Sequence, residues 1–246
     1  MTILITNDDG IDSPGLKFLA SYFNMLGELW VVAPDRERNA VGRALTLHRP
    51  LRVQKKSARR FAVNGTPSDC VNLAINSLLP AKPALVVSGI NKGGNLGDDI
   101  SYSGTISAAF EATILGIPAF AISLAARRNF KFKPAALFAV RLARAILKKG
   151  LPPDTFLNVN VPDTAGREIS SFRITRQGKS IYDSAIVEKL DPRGGKYYWL
   201  GGTDIKFKKI TGSDFAAVSQ QFISITPLKT DHTNYSALKL LKNWKL

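Results

Sequence analysis

Short apolar runs alternate with longer stretches in which apolar residues recur at helical spacing. Residues 2–6 form an uninterrupted run that predicts a strand. In residues 15–26, Leu16, Leu19, Ala20 and Phe23 fall on one helical face, and Gly27 closes the segment. Residues 29–33 predict a second strand, stopped by Pro34-Asp35. Residues 45–53 read as an extended arm and 61–63 as a short strand, and Gly65-Thr66-Pro67 turns into a helix through Leu78. Strands over 84–88, 118–123 and 156–161 alternate with helices over 103–115 and 134–148. That order predicts an α/β fold built on a parallel, helix-covered sheet.

The texture changes after Pro162. Residues 172–175 and 197–200 predict strands around the turn Asp191-Pro192-Arg193-Gly194-Gly195, residues 222–227 a further strand, and residues 235–244 a short helix carrying Leu238, Leu240 and Leu241. These aromatic, alternating pieces are expected outside the main sheet, as an arm packing on another subunit. The alternative is a hairpin folded onto its own domain. The chain is therefore read as one domain: residues 1–162 form the α/β core, and residues 163–246 hold the hairpin, the last strand and the C-terminal arm.

The chemistry begins where the first run ends, at Asn7-Asp8-Asp9-Gly10. Adjacent carboxylates cannot both lie on a buried strand without burying charge. At the strand's C-terminal end they face the crevice where open α/β sheets bind ligands. There they repel each other unless a cation separates them, and a hard divalent ion is the usual solution. The plainer reading is a helix start, with Asp9 or Asp12 as N-cap and Pro14 in the first turn.

Other loops follow strands on the same edge. Asn39 and Asn91 offer neutral amide oxygens that complete a hard-metal shell without further repulsion. The glycine-rich segment from Gly89 to Gly97, which includes Asn95, lets backbone N–H groups approach an anion. Ser103-Gly104-Thr105 opens a helix whose free N–H groups suit a phosphate.

Composition narrows the choices. The chain has 246 residues, 45% of them hydrophobic, enough for a substantial core. Met1 leads straight into the first strand and no run is long enough to span a membrane, so a cytoplasmic protein is expected. The single cysteine, Cys70, excludes an internal disulfide and reads as a packed, inert thiol. His48 and His232 read as surface or packing residues rather than catalysts. The net charge of +15 comes from lysines and arginines dispersed over the chain, a field for anionic substrates rather than a specific nucleic-acid surface. A Rossmann-type dinucleotide enzyme is disfavoured, because Asn-Asp-Asp-Gly stands where Gly-x-Gly-x-x-Gly belongs and its carboxylates would repel a pyrophosphate. A non-catalytic, basic nucleic-acid-binding protein is the remaining alternative.

Together Asn7-Asp8-Asp9-Gly10, Ala33-Pro34-Asp35-Arg36-Glu37-Arg38, Gly65-Thr66-Pro67-Ser68-Asp69-Cys70, Ser88-Gly89-Ile90-Asn91 and Tyr102-Ser103-Gly104-Thr105 resemble the SurE survival-protein family. The resemblance extends to Asp191-Pro192-Arg193-Gly194, Tyr197-Tyr198-Trp199 and Thr226-Pro227-Leu228, and so covers nearly the whole chain. It implies a three-layer αβα fold with a mostly parallel, Rossmann-like sheet and a C-terminal oligomerisation arm that makes a homodimer or homotetramer. It implies one divalent cation per subunit, Mg²⁺ or Mn²⁺, held by Asp8, Asp9, position 39 and Asn91. The implied activity is metal-dependent hydrolysis of nucleoside 5′-monophosphates, with 3′-monophosphates and short polyphosphate as further candidates. Asp8 and Asp9 would be catalytic, and Asn95, Ser103, Gly104 and Thr105 would bind the phosphate. Serine is expected at position 39 in this family. Asn39 reaches further and cannot ionise, which bears on metal preference more than on the reaction.

Overall fold

In β1 (Thr2–Thr6), Ile3 and Ile5 pack on one face of a sheet and Leu4 on the other, the alternation extended backbone imposes. This computed structural model describes residues 1–181, 186–200 and 206–244. α1 (Pro14–Phe23) begins at Ser13, whose hydroxyl accepts from the Leu16 N–H at 3.4 Å. The N-cap is thus neither Asp9 nor Asp12. Asp12 lies at the surface, 3.8 Å from Lys17 and 3.6 Å from Arg60. The helix-start explanation of the carboxylate pair is thereby removed.

β2 (Glu28–Pro34), the exposed β3 (Val53–Ser57) and β4 (Arg60–Val63) follow. The extended arm expected over 45–53 does not pair until Val53. Thr46 instead commits its N–H and hydroxyl to the Asp69 carboxylate, at 2.9 and 2.6 Å, and Pro50 has no N–H to offer a neighbouring strand. α2 (Pro67–Leu73) opens with a capping box between Thr66 and Asp69, then widens into a π-helical turn over Ala74–Leu78.

β5 (Leu85–Lys92) runs beyond Ser88, its expected end. A 3₁₀ turn over Gly97–Ser101 leads to α3 (Gly104–Ile114), capped by Ser103, and then to β6 (Ala119–Ala125). β5 shifts register between Gly89 and Asn91 and continues pairing with β6, so Asn91 sits in a strand rather than in the loop after it. α4 (Lys133–Lys149) and β7 (Thr155–Pro162) complete the core.

The remaining elements are β8 (Phe172–Ile174), β9 (Ser180–Ile181), β10 (Ile186–Leu190), β11 (Lys196–Leu200), β12 (Lys206–Phe207), α5 (Asp214–Ser219), β13 (Ile223–Lys229) and α6 (Tyr235–Leu241). Among the described residues the main sheet has nine strands in the order β3-β4-β2-β1-β5-β6-β7-β13-β8. All neighbours are parallel except β3 with β4 and β13 with β7. β8 and β13 were expected outside this sheet. They extend it instead, because β13 returns antiparallel along β7 from Ser224↔Asn160 to Lys229↔Thr155 and then pairs with β8.

The β10–β11 hairpin forms a separate ribbon around the expected turn, where Asp191 accepts the Arg193 and Gly195 N–H groups, each at 2.8 Å. Helices α1 and α4 cover one sheet face through Leu16, Leu19, Phe23, Phe138 and Ile146. Helices α2 and α3 cover the other through Val71, Ala108, Ala109 and Ala112. Cys70 is fully buried in that second core, and burial pushes its thiol well up, as expected of a packed cysteine. β1 has β2 on one side and β5 on the other, so the strand order reverses at the β1–β5 boundary, the place where sheets of this kind form a crevice beyond the strand ends.

Candidate active site

Asp8 and Asp9 lie directly at that crevice. Asp8 is 4% exposed. Its Oδ1 accepts from the Thr105 hydroxyl at 2.5 Å and its Oδ2 from the Thr105 N–H at 3.0 Å, so the start of α3 grips the carboxylate. Its backbone carbonyl accepts from the Arg38 N–H at 2.7 Å, which brings the loop after β2 alongside. Asn7 closes the turn, donating to the Gly10 carbonyl at 3.0 Å and to Ser13 Oγ at 2.7 Å.

The Asp9 side chain is also 4% exposed, with Lys92 Nζ 3.9 Å from Oδ1. Its Oδ2 is buried without a hydrogen-bond partner. Burial, then the charge of Asp8, pushes the Asp9 carboxyl up to about 6, with Lys92 opposing. Burial also raises Asp8, against the Thr105 donors.

Other orphaned polar atoms gather here. Thr6 Oγ1 and Ser88 Oγ, on paired residues of β1 and β5, are buried without partners, as is Asn7 Oδ1. Unpaired buried oxygens are costly, so each of these atoms calls for a partner that the surrounding protein does not supply. Asn91 commits its amide nitrogen to the Gly93 carbonyl at 3.0 Å. The exposed Asn39 likewise commits its nitrogen to Glu37. Among the described residues no three His, Cys, Asp or Glu cluster as metal ligands. Two carboxylates with two amide oxygens would make a donor set suited to a hard ion.

The expected phosphate-binding residues divide. Ser103 caps α3, accepting from the Ile106 N–H at 3.2 Å. Thr105 is fully buried and committed to Asp8. Asn95 is anchored in the interior: its side chain donates to Ser123 Oγ at 2.8 Å, its N–H to Asn160 Oδ1 at 2.8 Å, and its carbonyl accepts from Asn158 and Asn160, each at 2.9 Å. Gly104 leaves no room for a side chain, because a Cβ there would lie 2.9 Å from Asp8 Cβ. Sequence reasoning missed three groups. Lys92 is the nearest cation to the pair. Asn158 and Asn160, at alternate positions of β7, fix the glycine-rich loop. Asp214 holds the far side of that loop by accepting the Gly97 N–H at 2.9 Å. The signal for the asparagines was present, since two polar residues alternating in an otherwise apolar strand share one face.

Fold and site define an α/β protein of the doubly wound type, with a carboxylate pair and oxygen donors gathered at the switch point of its sheet. The chain belongs to the family described as Survival protein SurE, whose model matches residues 3–184. It is 56% identical over 247 residues to the 5′-nucleotidase SurE of Geotalea daltonii, with 100% of each chain covered. It is 57% identical to the 5′-nucleotidase SurE of Geobacter sulfurreducens, covering 100% of this chain and 94% of that one. The crystal structure of SurE protein from Aquifex aeolicus superposes with a TM-score of 0.87 at 42% identity, covering 98% of each chain.

Proposed function

We infer that the protein is a nucleotide phosphatase, a hydrolase that converts nucleoside 5′-monophosphates and water to nucleosides and phosphate. The observation that carries this reading is full-length identity of 56% and 57% to relatives named 5′-nucleotidase. The alternative of a non-catalytic nucleic-acid-binding protein finds no support among them.

Asp8, Asp9, Asn39 and Asn91 would hold one divalent cation, Mg²⁺ or Mn²⁺ by the oxygen-only donor set. When bound, the cation supplies Lewis-acid polarisation of the phosphoryl group. Asp8 is fixed by Thr105 and serves as the rigid ligand. Asp9, whose Oδ1 faces Lys92, is the carboxylate proposed to take a proton from the attacking water. Lys92 and the Gly104 N–H at the start of α3 would balance charge on the phosphoryl oxygens. The +15 net charge draws anionic substrate in. A phosphate-release panel over 5′- and 3′-nucleoside monophosphates and short polyphosphate, with Mg²⁺, Mn²⁺ or EDTA, tests the reading. Release from 5′-monophosphates that EDTA abolishes is expected. Full activity after exhaustive chelation would contradict the metal requirement.

The C-terminal arm from about Ser170 is proposed to join subunits into a dimer or tetramer. Its support is apolar surface left uncovered: Ile186, Leu190 and Trp199 on the hairpin, and Tyr235, Leu240 and Trp244 at the C-terminal end, are each more than half exposed. Sedimentation at micromolar concentration should show an oligomer, and a well-behaved monomer would refute the proposal. Among the described residues no helix is long and apolar enough to cross a membrane, and a buried free thiol suits the cytoplasmic location proposed here.

A further inference from the structure

A second cavity, of about 260 Å³, opens beside α3, separate from the carboxylate pair. Its notable lining is a flat platform. The Arg43 guanidinium lies 4.4 Å from the Phe110 ring centroid, and Arg43 Nη1 contacts His232 Nε2 at 2.5 Å. The His232 ring in turn stacks on Phe110, with centroids 5.6 Å apart and planes at 16°. Two planar polar groups thus lie edge to edge on an aromatic ring. Phe156 and Leu228 add apolar wall, and Lys229 a second cation.

The cavity is wired to the active site through two segments. α3 holds Asp8 through Thr105 and lines the cavity with Phe110, five residues further on, about 7.5 Å along the helix axis. The loop after β2 carries Asn39 and then Arg43, and is tied to the 3₁₀ turn by the Gly42 N–H donating to the Tyr102 carbonyl at 3.0 Å. On α3, Ser103, Ser107 and Phe110 recur at i, i+4 and i+7, so one face of the helix runs from its N-cap into the cavity. The volume lies just under the roughly 300 Å³ at which small-molecule pockets begin, enough for a base.

We propose that this cavity is the nucleobase site, in which the Arg43–His232 platform stacks the base of a nucleoside monophosphate whose phosphate lies at Asp8 and Asp9. The proposal rests on the phosphatase reading above. A planar guanidinium backed by an aromatic ring offers a sequence-tolerant π-surface, because every base has a flat face. Both platform residues are exposed, so removing either leaves the core intact.

The test compares wild type, Arg43→Ala and His232→Ala on AMP and on ribose 5-phosphate, which lacks the base. Each variant should lose roughly tenfold in kcat/KM on AMP through a higher KM, the scale of one stacking contact, with ribose 5-phosphate turnover unchanged. Equal losses on both substrates, or none on AMP, would overturn the proposal. Calorimetric binding of adenosine needs no turnover and separates the two readings. Wild type inactive on both phosphates, yet binding adenosine more tightly than the variants do, would refute the phosphatase and leave the base site standing. Adenosine binding indifferent to both substitutions would refute the base site.

Discussion

Asp8→Asn and Asp9→Asn are each expected to cut phosphate release by at least about 100-fold, the scale of losing one preorganised electrostatic contact. Each change keeps the side-chain shape and removes one negative charge from the pair. The stability pattern separates this from loss of a structural carboxylate. The Asp9 carboxyl stands at about 6 when folded, whereas an aspartate in the unfolded chain ionises near about 3.9. Between those values the folded state holds the extra proton. The Asp9 contribution to the stability of the metal-free protein therefore falls as pH rises from about 4 to about 6, and stays reduced above that. Asp9→Asn removes this residue's share of the dependence, so at neutral pH without metal it should melt at or above wild type. Added Mn²⁺ should raise the wild-type melting temperature by mass action and that of the variant less. A variant that melts earlier with and without Mn²⁺ yet keeps near-normal turnover would mean that the pair is structural.

Gly104→Ala should be nearly as damaging, although glycine has no side chain to lend the site. Alanine is the better helix former by up to about 1 kcal/mol, so propensity alone predicts a gain in stability. The added Cβ would lie 2.9 Å from Asp8 Cβ, 3.1 Å from Asp8 Oδ2 and 3.1 Å from Pro67 Cγ. Either the carboxylate or the start of α3 must move, and Thr105, which holds Asp8, is the next residue along. Displacements near 1 Å at such sites cost about 100-fold, so kcat/KM should fall by about 10- to 100-fold with little change in melting temperature. Full activity in Gly104→Ala would show that the close approach of α3 to Asp8 does not matter.

The alternation of apolar runs with helical spacing made the α/β core legible, because burial on both faces of a parallel sheet leaves uninterrupted strands such as residues 84–88. The Asp8-Asp9 pair was legible for the converse reason, as charge placed where a buried strand ends. Three things were hidden. β13 joins β7 antiparallel through contacts far apart in sequence, which no local pattern encodes. Thr105 looked like a phosphate donor because a helix start invites one, yet its N–H and hydroxyl are spent on a carboxylate 97 residues away. Asn95 looked available in its glycine-rich loop, but β7 asparagines 63 and 65 residues further on anchor it in the interior.

If the carboxylate pair exists to hold a divalent cation, calorimetric titration of Mn²⁺ into metal-free wild type and Asp9→Asn will separate the two proteins. One ion bound per chain by wild type, with binding abolished or severely weakened in Asp9→Asn, is the result predicted here. Binding of equal stoichiometry and affinity in the two proteins would contradict it.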